Sequence, residues 1–201
     1  PTGSVFFRYP DQKRHCLPRI LNQNGYSTTA YHAYHGGFWN RLRAYPSVGI
    51  DQYFSRKDFK PGEEIGLGLA DDDFYGQVVE RLKTSKDPFL AHVISLTSHH
   101  PFTMPEKYLG LPTGPFEGTP FEHYLASVHY ADATLGRFLD DLSAMGLLER
   151  TVIVAYGDHD MGSLKGAENA WEHVLGITEP TALQELQIKQ RIPLMIRLPK
   201  G

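Results

Sequence analysis

Asp158 and His159 stand side by side after a short apolar run, residues 151–156, and a glycine, Gly157. A strand sends neighbouring side chains to opposite faces, but a glycine turn at its end lets both aim at one point. A carboxylate beside an imidazole offers one hard oxygen and one borderline nitrogen, a donor pair suited to a divalent cation. The same residues also read as an Asx turn, with the aspartate bonding its own backbone and the histidine solvated. Two earlier stretches carry further reactive groups. His32-Ala33-Tyr34-His35-Gly36-Gly37-Phe38-Trp39-Asn40-Arg41 joins imidazoles, an indole and a guanidinium, and Thr97-Ser98-His99-His100-Pro101 adds two more imidazoles. The planar donor fork of Arg41 suits a phosphate, and Trp39 in a glycine-rich loop suits a ligand wall. Plainer roles stand beside these: a surface ion pair for Arg41, packing for Trp39, and solvated or structural positions for His35, His100, His123 and His129. His92, inside a strand pattern, reads as a hydrogen-bonded core histidine.

Each of these stretches follows a segment that must position it. Residues 26–31, 89–96 and 151–156 read as strands, the last with the continuous β-branched character of a strand buried on both faces of a parallel sheet. Residues 17–24 and 71–85 read as helices. A third helix is expected over 121–145, with Tyr124, Val128, Ala131, Leu135, Phe138, Leu142 and Met145 as one apolar stripe. The alternation predicts βαβ units, parallel strands and right-handed crossovers, so His32, His99, Asp158 and His159 converge on one sheet edge, where such folds bind ligands. Residues 1–15 read as irregular and 42–71 as loop. Asp71, Asp72 and Asp73 read as a helix cap and not a metal site. The Pro/Gly-rich residues 101–120 read as a functional loop or lid. Residues 162–190 read as loop with one or two helices, and 192–198 as a last strand.

A chain of 201 residues with 41% hydrophobic content can bury one domain's core. Its formal charge of −3 gives no basic footprint for nucleic acid and no polybasic membrane patch. Cys16, the single cysteine, has no internal disulfide partner. No window has the ~18 consecutive apolar residues of a membrane span. The chain starts at Pro1, without an initiator methionine, and so reads as a segment of a longer protein.

Residues 32–41, the stretch Ser95-Leu96-Thr97-Ser98-His99-His100-Pro101-Phe102, and Tyr156-Gly157-Asp158-His159 together resemble the lipoteichoic acid synthase group of phosphoglycerol transferases, within the sulfatase and alkaline phosphatase-like superfamily. The similarity keeps the same order over nearly the whole chain. It implies an α/β, alkaline phosphatase-like sandwich, with a mostly parallel central sheet and helices on both faces, incomplete at both ends. Residues 1–201 would be part of one catalytic domain. It also implies one divalent metal ion, manganese before magnesium or zinc, with Asp158 and His159 as ligands. His32, Trp39, Arg41 and His99 would line the pocket for glycerol phosphate, and His99 would protonate the leaving oxygen. In such enzymes a threonine attacks the phosphodiester of a phospholipid headgroup and passes glycerol phosphate, or in a related reading phosphoethanolamine, to a glycolipid or glycan acceptor. The expected location is the extracytoplasmic face of the bacterial cell membrane, reached through parent segments.

The family's threonine and its glutamate ligand lie upstream of the matched region, so the segment alone is expected to be inactive. Asp160 replaces a common aromatic, and the loop from there through Trp171, Glu172 and His173 is longer, which puts the acceptor and the ligand set in question. Two other readings remain: a sulfatase or phosphodiesterase acting on a soluble substrate, and a noncatalytic module that binds an anionic headgroup. Cys16 lacks the context of a modified sulfatase cysteine.

Overall fold

A computed structural model describes residues 5–159, 167, 170–189 and 191–199. Its centre is a parallel three-stranded sheet in which β1 (Ser27–His32) lies between β2 (Gln52–Phe54) and β5 (Phe89–Ile94). The register places Ala30 opposite both Tyr53 and His92, and Tyr31 opposite both Phe54 and Val93. Alternation then gives the sheet two different faces. Tyr31, Phe54 and Val93 share the face covered by α4 (Asp71–Leu82) and α5 (Pro120–Ala144), where Phe74, Val78, Phe138 and Leu142 complete the main core. Ala30, His32, Tyr53 and His92 share the other, where Tyr45 and Val48 of α3 (Arg41–Val48) cover Ala30 and Tyr53. Helices on both faces of a parallel sheet are the expected α/β arrangement.

Residues 42–71 are not the loop expected. Pro46 sits inside α3, β2 supplies an edge strand, and β3 (Glu64–Ile65) pairs antiparallel with β4 (Gly68–Leu69). Pro and Gly punctuation hid elements too short for periodicity to register. The leading segment likewise holds a short helix, α1 (Val5–Arg8), ahead of α2 (Leu17–Gln23).

The three aspartates at the start of α4 also behave differently from a plain cap. Ala70 occupies the N-cap position. Asp72 pairs with Arg137 at 2.7 Å and Asp73 accepts from the Glu63 amide at 2.7 Å. The fully buried Asp71 carboxylate accepts from the amides of Leu96 and Thr97 at 2.9 and 3.2 Å, and burial pushes its pKa up. The helix start is thereby tied to the loop after β5.

The stripe on α5 holds in its C-terminal half and shifts in the first. Val128 is exposed, while Ser127, Tyr130 and Thr134 are buried. Ser127 and Thr134 satisfy their hydroxyls on the carbonyls of Tyr124 and Ala131, so burying them leaves no unpaired donor.

The strand after α5 departs most from expectation. β6 (Ile153–Tyr156) pairs antiparallel with β7 (Leu194–Arg197) and, among the described residues, not with β1 or β5. Ile153 packs on the main core, but Val152, Val154 and Tyr156 are half exposed. A continuous apolar run therefore reports a strand able to be buried on both faces without saying which strand lies beside it.

Candidate active site

His32 ends β1 and is 1% exposed. Its Nδ1 lies 3.3 Å from the carbonyl oxygen of Ile94, the residue paired with it on β5. Burial first, then the positive charge of Arg41, lowers its pKa to about 4, so the ring is neutral at pH 7. A carbonyl can only accept, which assigns the hydrogen to Nδ1 and leaves Nε2 as an acceptor. That Nε2 is buried with no hydrogen-bond partner.

The chain then reverses through a single 3-10 turn, Phe38–Asn40, in which Trp39 and Asn40 both take left-handed conformations with φ of 53° and 55°. Non-glycine residues adopt this region only when their surroundings hold them there. Asn40 is held by its side-chain amide, which donates to the carbonyl of Phe6 at 2.7 Å. The indole of Trp39 lies between the rings of Phe7 and Phe38, at 6.2 and 5.8 Å, and remains half exposed. Immediately after the turn Arg41 opens α3, with its guanidinium 5.5 Å from the Phe38 ring centroid. Its charge lowers the pKa of His32 and His92 and partly offsets the burial that pushes Tyr45 up to about 12 and Tyr53 upward. Nη1 of Arg41 is buried without a partner, and among the described residues no carboxylate pairs with this guanidinium.

His99 follows β5 in a turn closed by its own amide, which donates to the Leu96 carbonyl at 2.9 Å. Its Nδ1 lies 2.7 Å from the His100 carbonyl. Asp71 fixes Leu96 and Thr97, so a buried carboxylate anchors the loop that carries His99. Across from it the His159 ring stands 6.1 Å from that of His99. Asp158 and His159 are exposed, with Oδ1 and Nε2 3.7 Å apart. Two donors on one cation at about 2.0–2.2 Å each stand about 3.0–3.5 Å apart, so this pair needs only a small closure to chelate. The donor chemistry fits a divalent cation. Among the described residues no group of three or more histidine, cysteine, aspartate or glutamate side chains could hold a metal ion, so this pair by itself offers two donors.

The structure sets His99 beside His159 and places both His32 and Arg41 against the Phe38 ring, but β6 lies, among the described residues, outside the β2-β1-β5 sheet, so the single parallel-sheet edge expected for all four is not what brings them near. Of the loop beyond Asp158 and His159, residues 160–166, 168 and 169 lie outside the described residues. His173 packs its ring 5.6 Å from Phe116 of the long excursion. Sequence reasoning missed the wall made by Tyr45, Tyr53 and His92. His92 had a usable signal: two residues before the end of its strand, the two-residue period puts it on the face of His32.

The chain as a whole is similar to known proteins. A model of the sulfatase family, described simply as sulfatase, matches residues 2–201. Lipoteichoic acid synthase 1 of Bacillus subtilis is 35% identical over 202 residues, covering 99% of this chain and 31% of the relative. The crystal structure of the lipoteichoic acid synthase LtaP from Listeria monocytogenes superposes with a TM-score of 0.81 at 29% identity, over 96% of this chain and 48% of that one. A protein in the alkaline phosphatase superfamily from Vibrio parahaemolyticus shares the fold with a TM-score of 0.70 at 20% identity, over 94% of this chain and 42% of that one. The chain spans about a third of the length of the curated relatives it matches. With the family model running from residue 2 to residue 201 and an alkaline phosphatase-like fold beneath the site, this chain belongs to the sulfatase family.

Proposed function

We propose that this chain is part of one catalytic domain of a longer protein that transfers glycerol phosphate from a phospholipid headgroup to a glycolipid or glycan acceptor, outside the cytoplasmic membrane. The observation that carries the reading is a buried pair of unused polar atoms, Arg41 Nη1 and His32 Nε2, one a charged donor and the other an acceptor. Buried polar atoms without partners are rare in folded proteins, and a ligand is one remedy. Glycerol phosphate is complementary to both: its phosphate accepts from the guanidinium, and a glycerol hydroxyl donates to the imidazole. The similarity to lipoteichoic acid synthases points to the same substrate.

In this reading Asp158 and His159 hold one divalent cation, manganese by the resemblance, which when bound polarises phosphoryl oxygens and lowers a nucleophile's pKa. The chain's own residues do the rest. Arg41, held over Phe38 and backed by Tyr45 and Tyr53, fixes the phosphate and stabilises the charge that grows on its oxygens. Trp39 walls the glycerol. His99 donates a proton to the leaving diacylglycerol oxygen as its bond to phosphorus breaks, and the attacking threonine is a residue of the longer protein.

The direct test is release of diacylglycerol from phosphatidylglycerol by the longer protein with manganese. The reading predicts release that falls by about 100-fold or more in Arg41→Ala and in Asp158→Ala. Unchanged release in both would remove these residues from the chemistry.

A further inference from the structure

Residues 1–50 hold six basic side chains, Arg8, Lys13, Arg14, Arg19, Arg41 and Arg43, against one carboxylate, Asp11, in a chain whose net charge is −3. The acidic remainder hides this asymmetry from the total. In the fold these residues lie together. Phe7 of α1 meets Trp39, Asn40 bonds the Phe6 carbonyl, Arg43 pairs with Asp11 at 2.6 Å, and the Arg14 amide bonds Ser47 of α3 at 3.3 Å. The segment from α1 to α2 therefore runs alongside α3 on one side of the molecule. On it Val5, Phe7, Tyr9, Leu17, Trp39 and Leu42 are each between 48% and 61% exposed. Lys13 and Arg43 are exposed among them.

We propose that this face docks on an anionic phospholipid surface. Aromatic rings settle at headgroup level, aliphatic side chains enter the acyl boundary, and basic groups are drawn by the negative surface potential. A nucleic acid would use the charge but not Val5, Leu17 or Leu42. The core of a protein interface is depleted in charge, unlike this mixture of basic and apolar groups. Trp39 belongs both to this face and to the rim of the site, two residues before Arg41. Docking there brings the candidate pocket to the plane of the headgroups, and the inference rests on the phosphoglycerol reading only for which lipid the site then takes.

The test is co-sedimentation of the complete catalytic domain of the longer protein with vesicles of equimolar phosphatidylglycerol and phosphatidylcholine, against phosphatidylcholine alone, with circular dichroism of each variant as a fold control. The domain is expected to bind the anionic vesicles and to leave them at high salt. Val5→Ser combined with Phe7→Ser should weaken binding by about tenfold or more, and Lys13→Glu by several-fold. Arg41→Ala removes one of the six basic groups and should lower binding less than the Val5→Ser/Phe7→Ser variant does. Failure to bind anionic vesicles, or equal binding by the Val5→Ser/Phe7→Ser variant, overturns the proposal and leaves this face to a protein segment. Binding lost in Arg41→Ala but kept in Val5→Ser/Phe7→Ser overturns it too, because the site would then be capturing headgroups without a docked face. Soluble glycerol phosphate, titrated separately, reads the phosphoglycerol proposal alone: vesicle binding with no uptake of that ligand upholds the docking face and sinks the substrate assignment.

Discussion

The imidazoles of His99 and His159 meet edge to face, with ring centroids 6.1 Å apart and planes at 88°. They come from loops after β5 and β6, strands that do not hydrogen-bond each other among the described residues. Convergence at the site therefore depends on how those loops are anchored as well as on strand pairing.

Arg41 carries a charge that no described carboxylate neutralises, so an anion should bind there. A guanidinium beside two phenols cannot be replaced by a compact ammonium without losing its fork of donors. Arg41→Lys should weaken binding of soluble glycerol phosphate by about tenfold and Arg41→Ala by about tenfold to a hundredfold, read by calorimetry. Equal affinity in all three proteins would move the anion site elsewhere.

His32 links the site to stability. Its folded pKa lies near 4, below the ordinary 6.5, because burial and Arg41 disfavour the imidazolium. The unfolded chain binds the extra proton between those values, so this contribution is fully present above about pH 6.5 and is lost as pH falls towards 4. A full shift of that size corresponds to about 3 kcal/mol. Asp71, with its raised pKa, works in the opposite sense: its contribution is present at low pH and lost as pH rises through its folded pKa. Urea titrations from pH 7 to pH 4 should show falling stability that His32→Asn flattens. A parallel fall in that variant would assign the effect to other groups.

Asp71 should be the most costly of the three neighbouring aspartates to remove. Asp71→Ala leaves the buried amides of Leu96 and Thr97 unpaired, a loss of about 3 kcal/mol and roughly 10 °C in Tm. Asp71→Asn keeps an accepting oxygen and should lose less. Asp72→Ala, which breaks an exposed pair with Arg137, should change Tm by no more than about 2–4 °C. Equal losses at the two positions would mean that Asp71 does not anchor the His99 loop.

Gly68 tests the support beneath His32. A Cβ there would meet the Ala33 carbonyl oxygen at 2.4 Å, a backbone atom that moves only with the loop. Gly68→Ala should lower thermal stability and weaken glycerol phosphate binding together. Loss of stability with unchanged affinity would show that the 33–41 loop is held from elsewhere.

Much of this was legible in the sequence where side-chain period and chain order agree. β1 and α5 show their periods, and the loops after β1 and β5 lie where parallel strands should put them. What the sequence hid has physical causes. β2 spans Gln52–Phe54, too short for a period to register, and only pairing with β1 makes it a strand. β6 has the composition of a doubly buried strand, but its neighbour β7 runs antiparallel, and composition does not encode which strand is adjacent. The net charge concealed the basic first quarter because it sums over the chain. Asp71 looked like a cap because its type and position suit one; its real partners lie 25 and 26 residues away.

Asp158 and His159 are proposed as part of a divalent metal site beside His99. Calorimetric titration of manganese into the longer protein, unaltered and as Asp158→Ala, tests it most directly. Saturable binding by the unaltered protein and loss of that binding in the variant are expected. Equal binding in both would take Asp158 out of the metal shell and leave Arg41 and His32 as an anion-binding site without metal chemistry at Asp158.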